Sequence, residues 1–187
     1  SGADVVVSNR SSTDELDAAV SDIRSRTAAE VIGVQLDVGD PTSVMDAVDE
    51  IHAELGPVDI LVNNAAVRPH TPVANITIEE WNQVMRTNLT GPFLCTQAVL
   101  PDLRASGAGR IISMSGSDAF FGKPNRLHVA STKAGIFGLT RGLAQELAED
   151  GITANCVVPG IADTDRTARG QSDPDYEQYR EHIPLGY

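Results

Sequence analysis

Residues 58–66 read VDILVNNAA, a short apolar run, Ile60–Val62, that stops abruptly at two asparagines and two alanines. A run this short and apolar along its whole length suits a strand covered on both faces, and the polar and small residues after it suit a turn. Four further runs share its character: Val5–Val7, Val31–Leu36, Ile111–Met114 and Ile152–Val158. The segments Asp14–Arg26, Pro41–Leu55, Ile78–Ala105 and Val129–Glu149 instead place apolar residues three and four apart, which predicts helices. Ser12-Thr13-Asp14-Glu15, Asp40-Pro41 and Thr77-Ile78-Glu79-Glu80 read as helix starts, with a capping oxygen or proline and acids in the first turn. Strand and helix therefore alternate. That order predicts a doubly wound α/β domain, a parallel sheet with helices on both faces.

Composition narrows the partners. The chain has 187 residues, 41% of them hydrophobic, which suits a single domain spanning 1–187. Fourteen Lys and Arg against 26 Asp and Glu give a formal charge of −12, so no nucleic-acid partner is expected. No run approaches the roughly 18 apolar residues of a spanning helix, and no charged-then-apolar leader opens the sequence. The expectation is a cytoplasmic protein with no membrane partner. Cys95 and Cys156 sit in apolar segments without metal-ligand spacing and read as structural thiols, so no metal site is expected. From Ala162 to Tyr187 the chain turns polar and reads as a lid over the carboxyl ends of the strands, where open α/β sheets place their ligands.

Four patches carry chemistry: Asn63-Asn64-Ala65-Ala66 after a strand, Asn88 with Gly91 on the long helix, Lys133 near a helix start, and Pro159-Gly160 after the last strand. With VDILVNNAA, TNLTGPFLCTQAVLP, GRIISMS, ASTKAGIFGLTRGLAQELA and GITANCVVPGIADT in this order, the chain resembles the short-chain dehydrogenase/reductase family along its whole length, with likeness to its 3-oxoacyl-carrier-protein reductases. The resemblance implies a Rossmann-like sheet and NADP or NAD as cofactor. It implies an alcohol/ketone pair or an acyl thioester as substrate, and assembly into homodimers or homotetramers through the helices around Asn82–Leu103 and Val129–Leu147. It also implies roles for individual residues. Asp37 and Val38 would hold the adenine. Asn63 and Ala65 would let the backbone approach the nucleotide. Lys133 would bind the nicotinamide ribose, Asn88 would brace its helix and order a relay water, and Pro159, Gly160, Ile161 and Thr164 would position the nicotinamide.

Blander accounts stand beside these. NNA and Pro-Gly are ordinary turns, and Asp37 could simply precede the helix start at Asp40-Pro41. At the end of the first strand Asn9 occupies the place where a carboxylate would bind a ribose diol. Arg10 beside it could neutralise a 2′-phosphate, which favours NADP over NAD, or could be a solvated charge.

The pattern also breaks. The family's proton donor is a tyrosine four residues before the lysine, where this chain has Val129. The serine that polarises the substrate oxygen falls on Gly116, with Ser115 and Ser117 on either side. His128 is the candidate acid/base left nearby, although one residue along a helix turns the side chain by about 100°. Asp118 and His70 lie on loops near the expected pocket mouth. Two other readings follow from the breaks: a catalytically silent nucleotide-binding subunit, or a lyase or dehydratase on the same scaffold. Finally, Ser1-Gly2-Ala3-Asp4 resembles the link into the family's second strand and Pro184-Leu185-Gly186-Tyr187 the approach to its last helix and strand. The expectation is an α/β domain lacking its first βα unit and last helix and strand, as a segment of a longer polypeptide would.

Overall fold

The computed structural model describes residues 2–11 and 13–160. Five strands run as the periodicity predicts: β1 (Val5–Asn9), β2 (Val31–Gln35), β3 (Ile60–Asn63), β4 (Arg110–Met114) and β5 (Thr153–Val157). The helices are α1 (Thr13–Arg24), α2 (Pro41–Glu54), α3 (Ile78–Met85), α4 (Gly91–Ser106), α5 (Asp118–Phe121) and α6 (Leu127–Glu146). Every strand pairing is parallel, β1 with β2, and β4 with both β3 and β5. The strands form two sheets, ordered β1-β2 and β3-β4-β5. Among the described residues β1 and β3 each keep one edge without a partner strand.

Local chemistry explains the helix starts. Asp40 accepts a hydrogen bond from the Thr42 amide at 3.0 Å, with Pro41 in the first helical position, where its missing N–H costs nothing. Thr77 caps α3 in the same way through the Glu80 amide at 3.1 Å. At the other end of α4, Gly107 adopts φ 63°, the left-handed conformation that glycine takes without strain. The stretch expected as one helix over Ile78–Ala105 is instead interrupted by a π-helical turn at Arg86–Thr90. Pro92, two residues beyond, has no N–H to offer the Asn88 carbonyl, so the regular ladder fails at this point.

Val31 and Val34 lie on opposite faces of β2 and are 0% and 1% exposed, so this strand is covered on both sides. Helix α1 packs so closely on β2 that a methyl at Gly33 would sit 2.8 Å from Leu16. In the second sheet Leu61, Ile111 and Ala154 face a core built with Val48 of α2, Val99 and Leu103 of α4, and Leu147 and Ile152. The opposite face of that sheet is different: Ile60 and Val62 are both 53% exposed and Val157 is 43% exposed. Helices thus cover β2 on both sides, and the β3-β4-β5 sheet on one among the described residues. Leu103 is fully buried at the centre of the core. Leu103→Ala should lower the unfolding free energy by about 2–5 kcal/mol in a urea titration; a loss well under that range would mean the core is not organised around α4.

Candidate active site

Parallel pairing brings the carboxyl ends of the strands to one edge within each sheet. Asn9 stands opposite Gln35, Asn63 opposite Ser113, and Met114 opposite Val157. The Asn63 amide donates to Ser113 Oγ at 3.3 Å, and the chain turns immediately, Asn64 N–H to Val62 O at 3.1 Å. Ala65, Pro159 and Gly160 are exposed at these tips. Ile161, Thr164 and the lid expected over 162–187 lie outside the described residues.

The π-turn joins the loop after β2 to the loop after β3. Asn88, 1% exposed, accepts the Val67 N–H at 2.8 Å and donates to the Val67 carbonyl at 2.9 Å, so its amide reads the loop after β3 as a neighbouring strand would. Its remaining N–H reaches Thr132 Oγ1 of α6 at 3.3 Å. On the other side, Val38 fills the space over Gly91, where an added Cβ would lie 2.7 Å from Val38 Cγ2. The Arg86 side chain lies over Gly39 in the same way, with its Cγ 2.8 Å from an added Cβ. Asp37 accepts the Gly39 amide at 2.9 Å and lies 3.6 Å from Arg86 Nη2.

Lys133 is 8% exposed and its ammonium donates to the Met114 carbonyl at 2.7 Å, at the end of β4. Ser115 Oγ locks the same turn of α6 by donating to the Lys133 carbonyl at 2.7 Å. Burial pushes the Lys133 pKa down to about 8, aided by the positive charge of Arg68, against the opposing influence of Cys156 and Asp118. A lysine near pH 8 can exchange a proton under neutral conditions, which an ordinary lysine cannot.

The residues expected around Lys133 separate. Val129 is 1% exposed and carries no proton. Nothing stands within 4 Å of an added Cβ at Gly116, so a serine would fit there. His128 is fully buried and its ring Nε2 lies 2.9 Å from Glu80 Oε1 of α3, so this imidazole is engaged with α3, while its Nδ1 has no partner among the described residues. At the far end, the Asn9 side chain donates to Glu15 Oε2 at 3.2 Å and accepts from the Ser11 amide at 3.3 Å, with Arg10 exposed beside it. A cavity of about 370 Å³ there is lined by Arg10 and Asp37 together with Asp40, Asp46 and Glu50.

Sequence reasoning singled out Asp118 and His70 one at a time and missed what joins them. Arg126 donates to Asp118 at 3.1 Å and to His70 Nε2 at 2.8 Å, tying the loop after β3 to the loop after β4. The backbone repeats this link through Thr71 N–H to Asn125 O at 2.8 Å. Asn125 at φ 63° is the signal that could have been noticed, since Pro124-Asn125 reads as a tight turn. Thr132 and Arg86 also went unnoticed, because their partners, Asn88 and Asp37, are distant in sequence. Among the described residues no group of three or more His, Cys, Asp or Glu side chains could hold a metal, and no helix is long and apolar enough to cross a membrane.

Comparison with known proteins gives the chain's family. The family described as short chain dehydrogenase matches residues 1–175. A 3-oxoacyl-[acyl-carrier-protein] reductase FabG of Staphylococcus epidermidis is 35% identical over 184 residues, 98% of this chain and 75% of that protein. The enzyme of that name from Aquifex aeolicus is 33% identical over 186 residues, covering 100% and 75%. Its Escherichia coli counterpart is 37% identical over 154 residues, covering 82% and 63%.

Lys133 also leaves a signature in stability. Its folded pKa of about 8 lies below the 10.5 of an unperturbed lysine, so between those values the unfolded chain holds the extra proton. Folded stability gains from this residue as pH rises from 8 to 10.5. Relative to Lys133→Met, the unmutated protein should gain Tm across that window and run parallel below it; parallel curves throughout would remove the buried ammonium from the account.

Proposed function

Because the chain belongs to the short chain dehydrogenase family, we propose that it is an NAD(P)-dependent oxidoreductase of an alcohol/carbonyl pair in which Lys133, rather than a tyrosine, moves the proton. The observation that carries this reading is the Lys133 ammonium, buried at the end of β4 with its pKa brought down to about 8. The residues present suit the cofactor: a carboxylate at Asp37, an amide at Asn63, an ammonium at Lys133 and small residues at the strand tips match the amine, hydroxyls and carboxamide of a nicotinamide dinucleotide. Asp37 and Val38 would hold the adenine, Asn63 and Ala65 the adjoining backbone, Lys133 the nicotinamide ribose, and Pro159, Gly160, Ile161 and Thr164 the carboxamide. When bound, the cofactor supplies or accepts the hydride.

The rest of the chemistry falls to the chain. In reduction, the Lys133 ammonium gives its proton to the carbonyl oxygen and recovers one from water; in oxidation the neutral amine takes it. Asn88 keeps the loop after β3 in place on one side of the crevice, and Ser115 fixes the turn of α6 that carries the lysine. His128 has a part only if it exchanges Glu80 for the substrate. Positioned acid–base groups contribute about 10²–10⁴-fold, so a single lysine standing in for a tyrosine and a serine implies slow turnover.

The relatives' name supports a ketone or acyl thioester as substrate, and their likeness supports a cytoplasmic homodimer or homotetramer associating through α4 and α6. Arg10 supports NADP, whereas the Glu15 carboxylate bonded to Asn9 supports NAD. A second reading, a catalytically silent nucleotide-binding subunit, is favoured by the buried valine at 129.

Kinetics separate the two. Oxidation of a reduced nicotinamide cofactor with a ketone or 3-oxoacyl thioester, followed at 340 nm, should be slow, should fall as pH rises through about 8, and should vanish in Lys133→Ala. Val129→Tyr with Gly116→Ser should raise the rate by at least tenfold. Cofactor binding without turnover in either protein would establish the silent reading instead.

A further inference from the structure

Asp37 would meet the adenine under the function proposed above, and the present inference rests on that reading. Asp37 is contacted from the π-turn. Its carboxylate is turned by the Gly39 amide at 2.9 Å on one oxygen and faced by the Arg86 guanidinium at 3.6 Å on the other. Arg86 reaches it by lying flat across Gly39, where an added Cβ would come within 2.8 Å of Cγ, 3.1 Å of Nε and 3.3 Å of Cδ. The absence of a side chain at 39 is therefore the condition for the contact. Arg86 is also the first residue of the π-turn that holds Asn88, and the neighbouring Gly91 receives Val38 by a matching close approach. One turn of backbone thus meets both the loop after β2 and the loop after β3.

We propose that Arg86 is a positioning residue for the adenosine end of the dinucleotide, acting through Asp37, and that Gly39 is the residue that lets it do so. A carboxylate facing an anionic ligand is repelled by it, and one free to rotate must be ordered on binding. The guanidinium offsets the first effect and removes the second. The Arg86 side chain is 51% exposed, so the effect is modest and screened by salt.

The test is calorimetric titration of the full-length protein with the dinucleotide and, separately, with nicotinamide mononucleotide, which lacks the adenosine half. Arg86→Ala should raise the dinucleotide Kd about two- to fivefold at low salt, with the difference shrinking at high salt. Arg86→Lys should recover part of it, while mononucleotide affinity stays unchanged. Gly39→Ala, by displacing the arginine, should give the same defect, and the double variant should be no worse than either single one. An equal loss for both ligands would mean that Arg86 merely supports the π-turn, and an unchanged dinucleotide Kd in Arg86→Ala and Arg86→Gln would likewise overturn the proposal. If the unmutated protein binds no dinucleotide, the oxidoreductase reading fails, and this inference with it.

Discussion

The pair of hydrogen bonds between the Asn88 carboxamide and the Val67 backbone is the constraint on which the rest of the site depends. A buried amide must satisfy a carbonyl and two N–H groups, and Asn88 does so with one loop and one neighbouring helix. Breaking either contact would leave the buried Asn88 carboxamide short of a partner, at a cost of about 1–3 kcal/mol. The loop after β3 therefore has little freedom, and α3, α4 and α6 all pack against the π-turn that holds it. The irregular backbone at Arg86–Thr90 is what turns the amide toward Val67, and it exists because a proline follows at 92.

Electrostatics around Lys133 follow from this packing. Lys133 is buried because α6 lies close on β4 and β5, and its carbonyl is held by Ser115. Desolvation then lowers its proton affinity, and Arg68 on the loop braced by Asn88 lowers it further. Burial and the Arg68 charge together account for the lowered pKa, which is what suits Lys133 to the role proposed for it above. Cys95, buried in α4, is driven the other way, its thiol pushed up to about 11 by the same desolvation, which makes it inert.

Much of the fold was legible in the sequence because its signals are local. Val31–Leu36 and Ile111–Met114 are short apolar runs with no helical reading, and Asp40-Pro41 announces α2 by chemistry that needs no partner elsewhere. The π-turn was legible only in part: Gly91-Pro92 sits inside the segment read as one helix, but periodicity alone does not register a single inserted residue. The site divides along the same line. Lys133 and Asn63 stand where the strand ends were expected, whereas the engagement of His128 with Glu80, 48 residues away, has no local trace. Nor do the paired glycines at 39 and 91, whose meaning lies in what approaches them from the facing element.

The open face of the β3-β4-β5 sheet has a thermodynamic consequence. Among the described residues Ile60, Val62 and Val157 are already wetted, so unfolding them brings less new hydrocarbon into water than a strand clad on both faces would. Heat capacity of unfolding scales with that newly hydrated area, at about 0.45 cal/mol/K per Å². The described chain therefore has a shallower free-energy curve against temperature than a fully clad domain of its size. Anything that seats on those three side chains would steepen the curve as well as raise it.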